Sequence, residues 1–545
     1  MAAAGGAGPF LLTLLASPLS PAALAAADRP PPADHARRPT ARHLSTLDEA
    51  QGKPLPFRPH RASRPRADDA LSLRRAAHRV LAASHRNATP CAAGPSAESV
   101  CRACAAAGGG RCAARFAWDW RAPLRQNEAG TSLPGLPAVR GVDALGARGV
   151  AVVARWNQSN WPGLLPHAPV HAASAHSKAK LCGLWRGEHA YQSWPVLLGC
   201  PGFEPQEYEP PCANVGAIVE VRCAMVDLAA GREVFGDVYD DSRWFRASHW
   251  MHPPEPCRSR KALHIPRIAS ALSVYPFAVG HFVPEQLPAL LVLNAILPPN
   301  IPILVYDAPV VRRHLLPLQE VGVLPPKRIM FHNPDVTGPV TIHADAVYMP
   351  LNSHFSNVMS GDKSMSIARA AFDSVGQGIF SRRHVLIVDR GNSARHLTNA
   401  DAVKSTITDA LAMATSPQSR QLQLLQWRPS SNVSRDVAAF RHAALIVAPH
   451  GAGLSNILFA TEGTPVIEIC YDSFQGQKRE MFCPAMYAAM AVNLNLPYWV
   501  VTAHGSYTSG LRADIPQLRN AIDQALLLVE DPPRPRPRPM CGAVR

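Results

Sequence analysis

The sequence predicts an α/β protein with two Rossmann-like, doubly wound domains facing a cleft, preceded by a Cys-rich, β-containing N-terminal region. Three observations predict it. From about residue 271, apolar runs of strand length alternate with longer amphipathic segments, the signature of βα units. The alternation runs through twice, before and after about residue 376, and two successive units leave room for a cleft between two parallel sheets. The second unit contains AALIVAPHGAGLSNILFATEGTPVIEIC, Ala443 to Cys470, where a Gly turn separates two apolar strands. Parallel sheets place their ligands in turns of this kind.

In the first unit, His281 to Ile296 (HFVPEQLPALLVLNAI) reads as a helix. Pro284 is tolerable in its first turn, and Pro288 kinks it or delays its start. Ile301 to Tyr306 is a strand, and Val310 to Val321 a helix broken or bent at Pro317. Arg328 to Phe331 and Ala346 to Met349 are further strands, and Ser364 to Val375 is the connecting helix. In the second unit, Val385 to Val388 is a strand ending in Asp389 and Arg390. Asp401 to Met413 is a helix, Gln421 to Trp427 a strand, and Ser434 to Ala443 a helix with Asp436 in its first turn, where a carboxylate suits the dipole. Leu445 to Ala448 and Pro465 to Cys470 are buried strands around the Gly turn and a short helix. Ala485 to Val492 is a helix, Tyr498 to Val501 a strand, and Ile515 to Val529 the closing helix.

The chain before residue 271 reads differently. Residues 1–27 carry no charge, and their apolar core, Pro9 to Ala16, is short for a bilayer span of about 20 residues. With the small-residue pattern Ala23-Leu24-Ala25, a cleaved secretory signal is favoured over a type II anchor, with an organelle transit peptide as the lesser alternative. Residues 28–80 form a Pro/Arg-rich stem, 81–115 a Cys-rich segment, and 531–545 a Pro/Arg tail. Residues 116–376 make the acceptor-side region, Rossmann-like from about 271, and 377–530 the second domain. Within 116–270, eight Trp and the run Val215 to Val226 point to β-rich or mixed structure.

The 545 residues carry a net charge of +15. Residues 28–80 hold 12 Lys and Arg against 6 Asp and Glu, and residues 531–545 hold 4 Arg against 1 Asp. Most of the excess therefore sits in the ends rather than on a folded face, which argues against nucleic-acid binding. Four of the 12 cysteines, Cys91, Cys101, Cys104 and Cys112, crowd a Gly/Ala-rich stretch that needs staples to hold a shape. Five more follow at Cys182, Cys200, Cys212, Cys223 and Cys257. Disulfides explain them better than zinc, because the cysteines flanking Cys101-x-x-Cys104 lack a second half-site's spacing. Cys470, continuing an apolar strand, reads as a free core thiol. N-x-[ST] sequons stand at Asn87, Asn157 and Asn432.

The chemistry gathers at strand ends. Gly451 and Gly453 let backbone N–H groups approach an anion at the start of a helix. Arg390 and Arg395 follow a strand on the same rim, and paired guanidiniums suit a diphosphate. Their bland alternative is solvated surface arginines, and that of the Gly turn a tight connection that binds nothing. Glu468 interrupts an apolar strand, where a carboxylate needs a ligand or a local partner. His281 and Glu285 share a helix face, and one could serve as general base or both could satisfy local donors. A serine hydrolase would need a G-x-S-x-G elbow, which Gly453-Leu454-Ser455 does not supply. The acidic run at Asp237, Asp240 and Asp241 lies outside the α/β units and is read as a solvated loop.

Three segments resemble glycosyltransferase family 61, which includes plant β-1,2-xylosyltransferases and animal O-linked N-acetylglucosaminyltransferases. PHGAGLSNILFATEGTPVIEI, Pro449 to Ile469, is similar to the family's HGAGL-x-N segment and following Glu strand. DRGNSARHLTNADAV, Asp389 to Val403, is similar to its paired arginines followed by Asn, with Ala400 standing where the family often has an acidic residue. GHFVPEQLP, Gly280 to Pro288, is similar to its His/aromatic/acidic helix start. The resemblance covers roughly residues 270–530. It implies a GT-B fold and an inverting transfer from a nucleotide sugar, UDP-xylose or UDP-N-acetylglucosamine, to a glycan or glycoprotein hydroxyl. It implies no cofactor and no metal. Arg390 and Arg395 would hold the diphosphate, His450, Gly451, Ala452, Gly453 and Asn456 would line the donor cleft, Glu468 would approach the ribose, and His281 or Glu285 would be the base. The expected setting is the Golgi or ER lumen, with membrane contact only through an N-terminal anchor. The competing function is a catalytically silent carbohydrate-binding relative.

Overall fold

The computed structural model describes residues 138–139, 150–157, 170–173, 215–228, 238–239, 244–245, 262–272, 275, 277–338, 340–351, 361–375, 382–391, 393–473 and 483–530. All lie within one compact unit, Pro65–Arg545. The N-terminal signal or anchor, the stem, the Cys-rich segment and the C-terminal tail read from the sequence lie outside these residues.

The strands, in chain order, begin with β1 (Ala138–Val139), β2 (Val150–Asn157), β3 (Val170–Ala172), β4 (Val215–Leu228), β5 (Val238–Tyr239) and β6 (Trp244–Phe245). They continue with β7 (Ala262–His264), β8 (Arg267–Ser270), β9 (Ile303–Tyr306), β10 (Ile329–His332) and β11 (Val340–Leu351). The last are β12 (His384–Val388), β13 (Gln423–Trp427), β14 (Ala443–Pro449), β15 (Val466–Ser473), β16 (Tyr498–Ser506) and β17 (Leu511–Ala513).

The first sheet runs β1-β6-β5-β4-β11-β8-β9-β10, with β2 on β4 and β7 on β11. It departs from the expected doubly wound parallel sheet. β8, β9 and β10 are parallel neighbours, but β4 pairs antiparallel with β11 from Leu228↔Val340 to Ala217↔Leu351. The cause is the long run Val215–Leu228, which the sequence placed in a separate β-rich region and which instead extends this sheet. The buried carboxylate Glu220 in this run takes hydrogen bonds from Tyr348 Oη at 2.9 Å and Arg222 Nε at 2.9 Å, so the interior tolerates it.

The helix expected from His281 starts as α1 (Val279–His281), passes through a π-helical turn at Phe282–Gln286 and continues as α2 (Leu287–Ile296). Single π turns of this kind often mark functional sites. α2 is buried nearly all round, and its last carbonyls are satisfied by Arg328, which donates to Asn294 O, Leu297 O and Pro298 O. α3 (Pro309–Glu320) runs as one helix with Pro317 inside it. α4 (Pro334–Thr337) is a short turn after β10, capped by the Asn333 side chain.

α5 (Asp362–Ala371) leads to the second sheet. There Arg441 donates to Phe372 O and Val375 O, and Arg369 donates to Leu494 O. The second sheet runs β13-β12-β14-β15-β16-β17, with β3 added to β16. All pairs but β16–β17 are parallel. Its inner strands β12, β14 and β15 are largely apolar runs because helices cover both faces, whereas the edge strand β13 is mostly exposed. Those helices are α6 (Ala400–Met413), α7 (Pro417–Arg420), α8 (Val433–Arg441), α9 (Met486–Asn493) and α10 (Ile515–Glu530). The sequon residue Asn432 is exposed and caps α8, accepting from Arg435 N at 3.1 Å. The short helix after the Gly turn is a 3₁₀ helix, Ala452–Phe459.

Cys470 is not the free thiol expected. It is bonded to Cys483, tying β15 to the segment that enters α9. Strand burial alone cannot distinguish a core thiol from half of a disulfide, because both sulfurs here are wholly buried. Cys223 is disulfide-bonded as well. Among the described residues, no helix is long and apolar enough to cross a membrane.

Candidate active site

The loop after β12 is built around Asp389. Its carboxylate accepts from Gly391 N at 2.8 Å, Arg428 Nε at 2.6 Å and the Gln426 amide. Burial pushes this carboxyl up, but the Gly391 N–H and the Arg428 and Gln426 side chains outweigh it and hold it below the usual carboxylate range. The loop then turns back: Ser393 Oγ donates to Arg390 O, and Arg395 N donates to Ser509 O at 2.6 Å. Arg395 sits at φ 64°, a conformation L-residues rarely hold without compensation. Its guanidinium lies over the Tyr507 ring at 4.3 Å, and its buried Nε has no hydrogen-bond partner.

Arg390 Nε donates to Ala394 O at 2.8 Å. Burial, then the neighbouring Arg395 charge, pushes the Arg390 guanidinium below its ordinary value. Among the described residues neither arginine forms an ion pair with a carboxylate. Two adjacent, half-buried cations without a counter-charge make a site that favours an anion.

The Gly turn lies against this pair. β14 delivers His450, whose N–H donates to Ile469 O, and Gly451 follows at φ 150°, ψ 179°. A Cβ at Gly451 would fall 1.9 Å from Arg390 Nη1, so only glycine lets that guanidinium rest against the turn. A Cβ at Gly453 would meet Val388 Cγ1 at 2.9 Å. Asn456 is buried and donates to Gly453 O at 3.1 Å, closing the turn. His450 Nδ1 lies 2.6 Å from Glu468 Oε1, and Tyr498 Oη donates to Glu468 Oε2 at 2.7 Å. Glu468 is wholly buried, and both of its oxygens are satisfied inside the protein. The His450 ring packs on Tyr471 at 5.4 Å and Tyr487 at 5.3 Å, and Tyr471 packs on Tyr507 at 6.0 Å. Burial raises the Tyr471, Tyr487 and Tyr498 hydroxyls, so all three keep their protons as donors.

The first sheet meets this turn through α1. A Cβ at Gly280 would lie 3.5 Å from Ala452 Cβ and 3.6 Å from Tyr487 Oη. The next residue, His281, places Nδ1 at 2.6 Å from Glu285 Oε1, with side-chain exposures of 34% and 11%. Tyr275, itself at φ 49°, packs on the His281 ring at 5.1 Å.

The structure thus brings Arg390, Arg395, His450, Gly451, Ala452 and Gly453 together and sets His281 and Glu285 beside them. Asn456 and Glu468 stand behind the turn. The sequence reading missed the tyrosines. Tyr498 reaches Glu468 because Glu468 is in register with Val500 on β16 and Tyr498 stands two residues away on the same face. That register is set by tertiary structure. The disulfide had a faint signal: Cys470 and Cys483 stand far from the N-terminal cysteines and close to each other. His450, Glu468, Cys470 and Cys483 bring metal-ligand atoms within 4.8 Å of one another. With the two sulfurs bonded to each other, that set offers only one imidazole and one carboxylate.

Comparison with known proteins defines the class. Residues 279–467, which run from α1 through α5, the arginine loop and the Gly turn to the start of β15, match the model of a glycosyltransferase family. The matching family is glycosyltransferase 61, and the match covers residues 279–467 of the 545. Among solved structures, the chain is similar to the bacterial iron-containing dodecameric glycosyltransferase TibC from enterotoxigenic E. coli H10407. That likeness has 13% identity and a TM-score of 0.25, over 58% of this chain and 92% of that one. No curated protein matches the chain.

Proposed function

We propose that this chain is an inverting, metal-independent glycosyltransferase of the secretory pathway, taking a UDP-sugar and glycosylating a hydroxyl of a glycan or glycoprotein. The observation that carries the reading is the uncompensated Arg390–Arg395 pair set against the Gly451 turn at the carboxyl ends of β12 and β14. A nucleotide-sugar diphosphate has the charge and the paired oxygens that two planar guanidiniums bind. The reaction moves negative charge onto that diphosphate as the C1–O bond breaks and the leaving group departs with the bonding pair. Fixed cations at that point stabilise the transition state more than the ground state.

The acceptor hydroxyl attacks C1 from the opposite face, and inversion follows. Its proton passes to the His281–Glu285 pair, of which His281 is the more open member. UDP-xylose is favoured slightly over UDP-N-acetylglucosamine on the resemblance to plant xylosyltransferases.

A panel of nucleotide sugars, each assayed with EDTA present, tests donor, metal independence and activity together. Arg395→Ala is expected to lower transfer at least about 100-fold, the effect of losing one charge-assisted transition-state contact. Wild-type protein that neither hydrolyses nor transfers from any donor would leave it a carbohydrate-binding relative without activity.

A further inference from the structure

Next to His281 lies a cluster of aromatic rings that the donor site does not use. Tyr275 and Phe277 follow β8, Tyr306 closes β9, and Asn333 and Asp335 follow β10. These three strands are parallel neighbours, so all five residues stand at the carboxyl ends of one parallel block, where α/β sheets bind ligands. Tyr275 packs edge-on to Phe277 at 6.1 Å, and Phe277 packs on Tyr306 at 6.4 Å. Tyr306 Oη donates to Asn333 Oδ1 at 3.2 Å and Asp335 Oδ2 at 3.0 Å. Phe277 is 46% exposed, a large apolar ring left open to solvent beside a candidate base. Tyr275 holds a left-handed backbone without being glycine, a strain that the surrounding structure must over-determine.

We propose that Phe277 and Tyr275 form an acceptor subsite for a pyranose ring, with Asn333 and Asp335 as its polar rim. The inference rests on the glycosyltransferase reading and adds the chemical class of its acceptor: a glycan rather than a peptide hydroxyl. A pyranose has one face of C–H bonds and an equator of hydroxyls. An open aromatic ring complements the first; a carboxylate accepts hydrogens from the second, and the remaining N–H of an amide donates to it. The ring contact from Tyr275 to His281 then sets the bound sugar's hydroxyls beside the base.

Saturation-transfer NMR on the whole protein tests it, with methyl β-xyloside, methyl β-mannoside and methyl β-galactoside as probes and a Ser/Thr peptide as competitor. Ring C–H protons of at least one pyranoside are expected to receive saturation from wild type. Phe277→Ala should weaken that pyranoside about tenfold, and Phe277→Trp should restore it. Phe277 is exposed, so its truncation leaves the core intact, and a thermal melt checks that. Equal binding by wild type and Phe277→Ala overturns the subsite, as does displacement by the peptide or the absence of any pyranoside signal. Calorimetric titration of wild type with UDP separates the two readings. UDP binding without pyranoside binding removes the subsite and leaves the donor site standing. Pyranoside binding without UDP binding removes the donor site and keeps the subsite.

Discussion

Gly451→Ala isolates what the turn does for Arg390. Gly451 sits at φ 150°, ψ 179°, a region open almost only to glycine, where a side chain costs about 1–3 kcal/mol. Its new Cβ would also stand 1.9 Å from Arg390 Nη1. The guanidinium is the far end of a flexible side chain, so it would swing away rather than break the fold. The two effects fall on different measurements. Strain lowers stability, and at roughly 2–4 °C per kcal/mol the melting temperature should fall by about 2–12 °C. Displacing the guanidinium removes one charge-assisted contact to a diphosphate, worth about 1.5–3 kcal/mol, or roughly 10–150-fold in Kd for UDP by calorimetry. Gly453→Ala is the control, since its Cβ meets only Val388 Cγ1 and Trp427. It should move UDP affinity less. If Gly451 acts through Arg390, the double variant Gly451→Ala/Arg390→Ala should bind UDP no worse than Arg390→Ala alone. UDP binding by Gly451→Ala within twofold of wild type would refute the reasoning, as would additive losses in the double variant.

Two further outcomes follow from burial. The His314 imidazole, in α3 against Phe282, is pushed down to about 4 by burial, which its hydrogen bond to Val310 O only partly offsets. The unfolded state therefore takes up the proton first, so stability is complete above about pH 6.5 and declines as pH falls toward about 4, by up to about 3 kcal/mol. Urea melts across that window should show the loss, and His314→Leu should flatten it. The Cys470–Cys483 bridge closes a loop with a sequence separation of 13. The double variant Cys470→Ser/Cys483→Ser should lose about 3 kcal/mol in the same assay.

The second sheet was legible because its inner strands are apolar runs with turn chemistry between them, and the strands expected from the sequence fall on β12 to β16. In the first sheet the strands β9, β10 and β11 and the β run in β4 were legible, but not that β4 belongs to the same sheet. β8, β9 and β10 lie in or beside the βα pattern, but β4 comes from residues 215–228 and joins β11 from residues 340–351 through an antiparallel register that no local pattern encodes. The site divides the same way. Arg390, Arg395 and the Gly turn were readable because each sits just past a strand, and parallel strands put all such positions on one rim. Tyr487 and Tyr507 were not, because packing of α9 and of the chain after β16 brings them to the turn, and a lone Tyr carries no spacing signal. Cys470 was misread for the same reason: what made it a disulfide was the position of Cys483.

Two His–Glu pairs share the same 2.6 Å bond, one beginning next to Gly280 and one two residues before Ala452, and their surroundings differ. His450 is 4% exposed, enclosed by Tyr471 and Tyr487, and its partner Glu468 gives its second oxygen to Tyr498. A base must meet its substrate and hand its proton onward, which a ring so enclosed does poorly. Removing either partner would strand a buried polar group, so the pair's contribution is rigidity: it fixes β14 to β15 and aims the Gly turn at Arg390. His281 has the same bond but an open edge, one helical turn from Glu285 and in ring contact with Tyr275. The Gly-turn motif is thus mostly scaffold. His450, Asn456 and Glu468 hold glycines whose missing side chains leave room for a guanidinium, and on the proposed function the proton chemistry would fall to the less conspicuous pair on α1 and its π-helical turn.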